Sequence, residues 1–99
     1  MSFALEFTEE AAAHYARLQK SKRLQAQFKA VQKALRFLME NPRHTGLHTH
    51  AYESLMGPDD VKVWEAYAQN QTPGAYRIFW CYYPPKSNTI TIIAVTPHP

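Results

Sequence analysis

The segment Val61–Thr96 restricts the fold more than any other part of the chain, because it reads as three consecutive strands joined by two reversals. Val61–Gln69 is rich in β-branched and aromatic residues and stops at Asn70-Gln71-Thr72-Pro73-Gly74. There Pro fixes φ and Gly permits φ > 0, so the chain can turn back. Tyr76–Tyr83 is mostly aromatic and ends at Pro84-Pro85, which cannot donate ladder hydrogen bonds. Thr89–Thr96 follows and is ended by Pro97. Short links imply antiparallel neighbours, since a parallel return needs a crossover of a dozen or more residues. Period two places Trp64, Ala66 and Ala68 on one side of the first strand and Val63, Glu65 and Tyr67 on the other. On the second, Tyr76, Ile78, Trp80 and Tyr82 alternate with Arg77, Phe79, Cys81 and Tyr83. The Trp64 and Ile78 faces are assigned to the covered side, because the other faces carry Glu65 and Arg77 and an unpaired charge in a core is costly. Ile90–Val95 is apolar on both faces, the pattern of a central strand.

The rest of the chain reads as what covers that sheet. Phe3, Leu5 and Phe7 alternate with small or charged residues, which predicts a short half-buried strand at a sheet edge. Thr8 can cap a helix running from Glu9 to about Gln19, with Glu9 and Glu10 where the helix dipole favours negative charge. Its apolar face, Ala12, Tyr15, Ala16 and Gln19, is weak. Ser21 offers a second cap, and Leu24, Phe28, Val31, Leu35 and Leu38 then recur at helical spacing. Asn41-Pro42 writes the stop. Lys22, Arg23, Lys29, Lys33 and Arg36 lie largely off the apolar stripe and read as a solvated face. Arg43–Asp60 reads as a connector. The expectation is a single α+β domain over 1–99, β-α-α-β-β-β, with a two-helix hairpin packed on one face of a twisted antiparallel sheet.

Composition adds boundaries. A hydrophobic fraction of 45% is that of an ordinary globular chain, which excludes a disordered one. A net charge of +3 and a pI of about 9.1 permit an anionic partner without demanding one. The single cysteine, Cys81, excludes an internal disulfide and reads as a small packing residue. The N-terminus turns acidic before any apolar stretch of signal-peptide length, and no run is long enough to span a bilayer. The expectation is a cytoplasmic protein with no membrane partner.

His44, His48 and His50, with His98 as a fourth, match no standard zinc spacing and read as exposed loop histidines, so neither metal nor cofactor is expected. Metal-free phosphoryl chemistry on RNA fits better. Cleavage beside a 2′-hydroxyl needs a base for its proton, an acid for the leaving oxygen and a cation for the phosphorane. Arg77 supplies the cation and a phosphate clamp. His98 and His48 or His50 titrate near neutrality, and Glu65 is a second candidate base. Tyr67 or Tyr83 can stack a nucleobase, and Lys86 completes the substrate-binding candidates. A cross-strand Glu65–Arg77 ion pair under exposed aromatics is the bland alternative.

The order of these pieces resembles the RelE/ParE toxin superfamily: KALRFLMENPR closing the helical hairpin, then VWEAY, GAYRIFWCY and ITIIAVTPH. The resemblance covers nearly the whole chain. It implies two helices on a twisted antiparallel sheet and, in members that cut mRNA on the ribosome, a site on the opposite concave face. Arg77 matches the strand arginine that contacts the scissile phosphate. His98 matches the histidine that serves as general acid in members which follow it with a tyrosine, where this chain has Pro99. The base glutamate of those members falls near His48–His50, where no acid stands. Glu65 and Tyr67 occupy a strand on which such RNases array basic residues. The resemblance also implies an acidic antitoxin as partner, with Phe79, Tyr83 and Met56 as an exposed docking surface, and mRNA and the ribosome as targets. Its alternative is a non-catalytic or gyrase-directed member acting through protein–protein binding.

Overall fold

A computed structural model describes residues 2–70 and 72–98, so Gln71 of the first reversal and the terminal Pro99 lie outside the described residues. The element order is β1 (Ala4–Phe7), α1 (Glu9–Lys20), α2 (Gln25–Glu40), β2 (His50–Met56), β3 (Lys62–Tyr67), β4 (Tyr76–Tyr82) and β5 (Thr89–Pro97). Short 3₁₀ turns occupy Lys22–Leu24, Thr45–Leu47 and Pro58–Asp60. The fold is α+β, with the helix pair packed on one face of a five-stranded sheet ordered β1-β5-β4-β3-β2.

Two features correct the expected topology. The sheet is mixed, because β1 runs parallel to β5 while the other neighbours are antiparallel. The short-link argument governs only consecutive strands, and β1 pairs with the strand most distant in sequence. Part of the Arg43–Asp60 connector is β2, an edge strand exposed along most of its length. With so little buried, neither face is under pressure to be apolar, so the period-two signal is missing.

The apolar stripe of α2 buries Phe28, Val31, Ala34, Leu35 and Leu38 against Ala66, Ile78, Trp80, Ile90, Ile92 and Val95. Trp64, Ala68, Tyr76 and Leu24 pack around this cluster. Leu24 sits at the start of α2 rather than inside it, since a 3₁₀ turn follows Ser21 and Ser21 makes no side-chain cap. On α1 the buried positions are Ala11 and Leu18 rather than the expected Ala12 and Gln19, with Tyr15 packing from between them. Leu35→Ala removes buried methyl groups from this interface and is expected to cost about 2–5 kcal/mol in urea melts. A loss of only a few tenths would show that this helix face is not core.

A bulge explains why β5 is apolar on both faces. Phe79 pairs with Ala94 but Trp80 pairs with Ile92, so Ile93 is an extra residue and the side-chain alternation changes phase there. Ile90, Ile92 and Val95 therefore all reach the helix side. The backbone groups freed by the bulge are satisfied from α1 and its cap. Thr8 Oγ1 donates to the Ile93 carbonyl at 3.2 Å while accepting from the Ala11 N–H, and His14 Nδ1 accepts from the Val95 N–H at 3.1 Å. Helix α1 thereby fixes the course of β5 towards its C-terminal end. No helix among the described residues is long and apolar enough to cross a membrane.

Candidate active site

On the sheet face away from the helices, four strands deliver one charged cluster. Glu65 on β3 stands opposite His50 on β2, and Tyr67 stands opposite Arg77 on β4. Glu65 and Arg77 are therefore diagonal neighbours. β5 pairs Thr96 with Arg77 and Pro97 with Tyr76, and His98 follows directly, held by its N–H donating to the Ala75 carbonyl at 2.7 Å.

The Glu65 carboxylate is the centre. One oxygen, Oε1, lies 2.7 Å from His50 Nε2, and Oε2 lies 3.5 Å from both Arg77 Nε and His98 Nδ1. Glu65 is 2% exposed and Arg77 7%, whereas the His50 and His98 side chains are 46% and 52% exposed. The expected charged face is thus closed over its acid and its arginine and open only at its histidines. Burial of this pair corrects the reading of Glu65 and Arg77 as surface charges. The strongly paired carboxylate makes the burial tolerable, since a buried charge is kept only with partners.

Donor counting constrains His50. Its Nδ1 lies 2.8 Å from the His48 carbonyl, which can only accept, so Nδ1 carries a proton. The Nε2–Oε1 contact then holds a second proton, shared between the imidazole and the carboxyl group. His48 makes this possible by adopting a left-handed conformation (φ 49°, ψ 39°) at the end of its 3₁₀ turn. His48 and His50 do not extend side by side as a strand, yet both rings meet Tyr67, at 5.1 and 5.6 Å between centroids. The other side of this arrangement is Arg77, whose guanidinium carbon is 3.7 Å from the Tyr67 centroid. Arg77 Nη1 donates to the Gln69 and Tyr76 carbonyls. Glu65 Oε2 and Arg77 Nε are buried without a hydrogen bond, so that contact is one of charge.

Arg77, His98, His50, Glu65, His48 and Tyr67 therefore converge. Tyr83 and Lys86 do not. Six residues of strand separate Tyr83 from Arg77, roughly 20 Å at the usual rise. Tyr83 donates instead to Asp59 Oδ2 at 2.9 Å, and that bond and charge raise its phenol above the ordinary range. Lys86 belongs to the β4–β5 turn, in a left-handed conformation (φ 62°). Nor is there a continuous Phe79–Tyr83–Met56 surface. Phe79 is buried with Tyr52 of β2 against its ring at 4.7 Å, while Met56 stays exposed. Cys81 is buried, which pushes its thiol up and makes it unreactive. The Gly57 backbone closes over it, because a Cβ there would meet Val61 at 2.8 Å and the Cys81 sulfur at 3.4 Å.

Sequence reasoning missed the carbonyls of His48, Gln69 and Ala75 that hold this site, since backbone acceptors leave no residue-type signal. Among the described residues no group of three or more His, Cys, Asp or Glu side chains is arranged to hold a metal ion.

No family model and no curated protein matches the sequence. A solved structure, "The structure of YoeB dimer from Staphylococcus aureus", superposes with a TM-score of 0.65 over 100% of both chains, at 14% sequence identity. At that identity the likeness shows that this chain has the fold of that protein.

Proposed function

We propose that the chain is a toxin-like, metal-independent endoribonuclease that cuts mRNA on the ribosome and is held in check by an acidic antitoxin. The observation that carries this reading is the convergence of Arg77, His50 and His98 on one buried carboxylate, with Tyr67 beside them. Support also comes from the shared fold, and from the match of Arg77 and His98 to the superfamily's arginine and histidine positions.

In this reading the 2′-oxygen attacks phosphorus and the bond to the 5′-oxygen breaks. His98, whose Nδ1 faces Glu65 at 3.5 Å, gives a proton from Nε2 to the departing 5′-oxygen. His50 receives the 2′-hydroxyl proton at Nδ1 after that nitrogen has turned from the His48 carbonyl and released its own proton to solvent, while the proton at Nε2 stays with Glu65. Arg77 balances the charge that builds on the phosphorane, from a site dry enough for that charge to count. Glu65 is too buried to touch substrate, and it acts as a positioning residue for both histidines. Tyr67 and His48 offer the flanking surface on which a nucleobase stacks.

The test is cleavage of mRNA on translating ribosomes, with free RNA in parallel, in the presence of chelator. Fragments ending in a 2′,3′-cyclic phosphate or its 3′-phosphate hydrolysis product are expected. If mRNA is spared and growth is unchanged on induction, the RNase reading goes, and a non-catalytic or gyrase-directed protein becomes the better account.

A further inference from the structure

A second concave site lies on the helix side of the sheet, beyond the end of α2. It has a volume of about 300 Å³ and is lined by Trp64, Trp80 and Tyr82 from β3 and β4 and by Arg43, His44, Thr45, His48 and Thr49 from the loop after α2. That volume is at the small end of the range for ligand sites. The aromatic wall is ordered: Trp64 and Trp80 lie near-parallel, and Tyr82 meets Trp80 edge-on at 4.9 Å.

The loop that forms the rim is held by its own hydrogen bonds. Thr49 Oγ1 donates to the Pro42 carbonyl at 2.9 Å, and the Arg43 N–H donates to Asn41 Oδ1 at 3.0 Å. His44 stacks on Phe37 at 4.0 Å, and its Nδ1 accepts from the Gly46 N–H. That bond leaves the His44 Nε2–H as a donor. Arg43 adds a fixed cation, and the Lys62 ammonium lies 4.8 Å from the Trp64 ring centroid. Among the described residues no carboxylate lines the site, and the buried Trp80 Nε1 has no hydrogen-bond partner. Aromatic walls select a flat ring, and a cationic rim without acids selects an anion attached to it.

We propose that this pocket binds a nucleotide unit, its base against Trp64 and Tyr82 and its phosphate at Arg43. Its aromatic wall is distinct from the Glu65 cluster, which occupies the other face of the sheet, and of the residues named for the two sites only His48 is shared. The unit is either a free mononucleotide or one residue of a single-stranded nucleic acid.

The chain contains two tryptophans and both line this pocket, so intrinsic fluorescence reports on it directly. The experiment titrates the full chain with 5′-AMP, adenosine, inorganic phosphate and a deoxytrinucleotide, which cannot be cut at a 2′-hydroxyl. Excitation at the red edge of the indole band limits absorption by the ligands. Saturable quenching by AMP is expected, weaker with adenosine and absent with phosphate alone. Tighter binding of the trinucleotide than of AMP assigns the pocket to a strand, and the reverse assigns it to free nucleotide. Arg43 is exposed, so Arg43→Ala should keep the fold while raising the half-saturating concentration about tenfold or more, the effect of one lost charge-assisted bond. Arg17→Ala, an exposed cation on α1, should leave it unchanged. Quenching that does not saturate with any nucleotide, or that Arg43→Ala leaves as it was, overturns the proposal.

Discussion

His98→Ala is expected to slow RNA cleavage by about 10²–10⁴-fold, the range for removing a positioned acid. The side chain is 52% exposed at the edge of the charged cluster, so truncating it should leave the urea midpoint close to where it was. Loss of rate without loss of stability is the signature of a group that works on substrate. Its backbone N–H would still donate to the Ala75 carbonyl, so the substitution would leave residue 98 in place. Arg77→Ala should lose a comparable amount of rate by removing charge stabilisation from the transition state. Arg77 is buried, however, so that variant should also be less stable, and the two effects must be measured together. The readout is single-turnover cleavage on translating ribosomes. If both variants cut as fast as the parent protein, the acid and the cation lie elsewhere.

The helix-side architecture was legible because it rests on side-chain periodicity. The Leu24–Leu38 stripe and the alternation around Trp64, Ile78 and Trp80 each report directly which atoms leave water, and the core is built from them. The opposite face was legible only in its residue types. The rule that charges avoid cores points Glu65 and Arg77 outwards, but the rule concerns unpaired charges. Here Glu65 gathers three nitrogen partners, and two of them arrive from segments with no periodic signal: His50 from an exposed edge strand and His98 from beyond the last strand. The bulge at Ile93 was equally hidden, because an apolar residue on either face of β5 fits a central strand. Residue chemistry alone groups Tyr83 and Lys86 with the site. Strand rise carries them to the other end of the sheet, where Tyr83 is engaged by Asp59.

Glu65→Gln should cost about 3–5 kcal/mol of folding stability, the usual consequence of removing one partner from a buried ion pair. The amide keeps the shape of the carboxylate and removes its charge. Arg77, with its side chain 8% exposed, would keep only the Gln69 and Tyr76 carbonyls and the Tyr67 ring face. Those contacts favour the lower end of the range. The same substitution removes the common partner of His50 and His98, so RNA cleavage should fall as well. A double variant separates the two roles. Glu65→Leu with Arg77→Met replaces the pair by apolar groups of similar volume, which is often neutral or stabilising where single removal is not. Urea melts should therefore show that the double variant recovers most of the stability lost in Glu65→Gln, while cleavage stays low. A Glu65→Gln protein within about half a kcal/mol of the parent, the range of ordinary surface substitutions, would mean that the carboxylate does not hold this face together. Recovery of cleavage along with stability in the double variant would remove Arg77 from the mechanism.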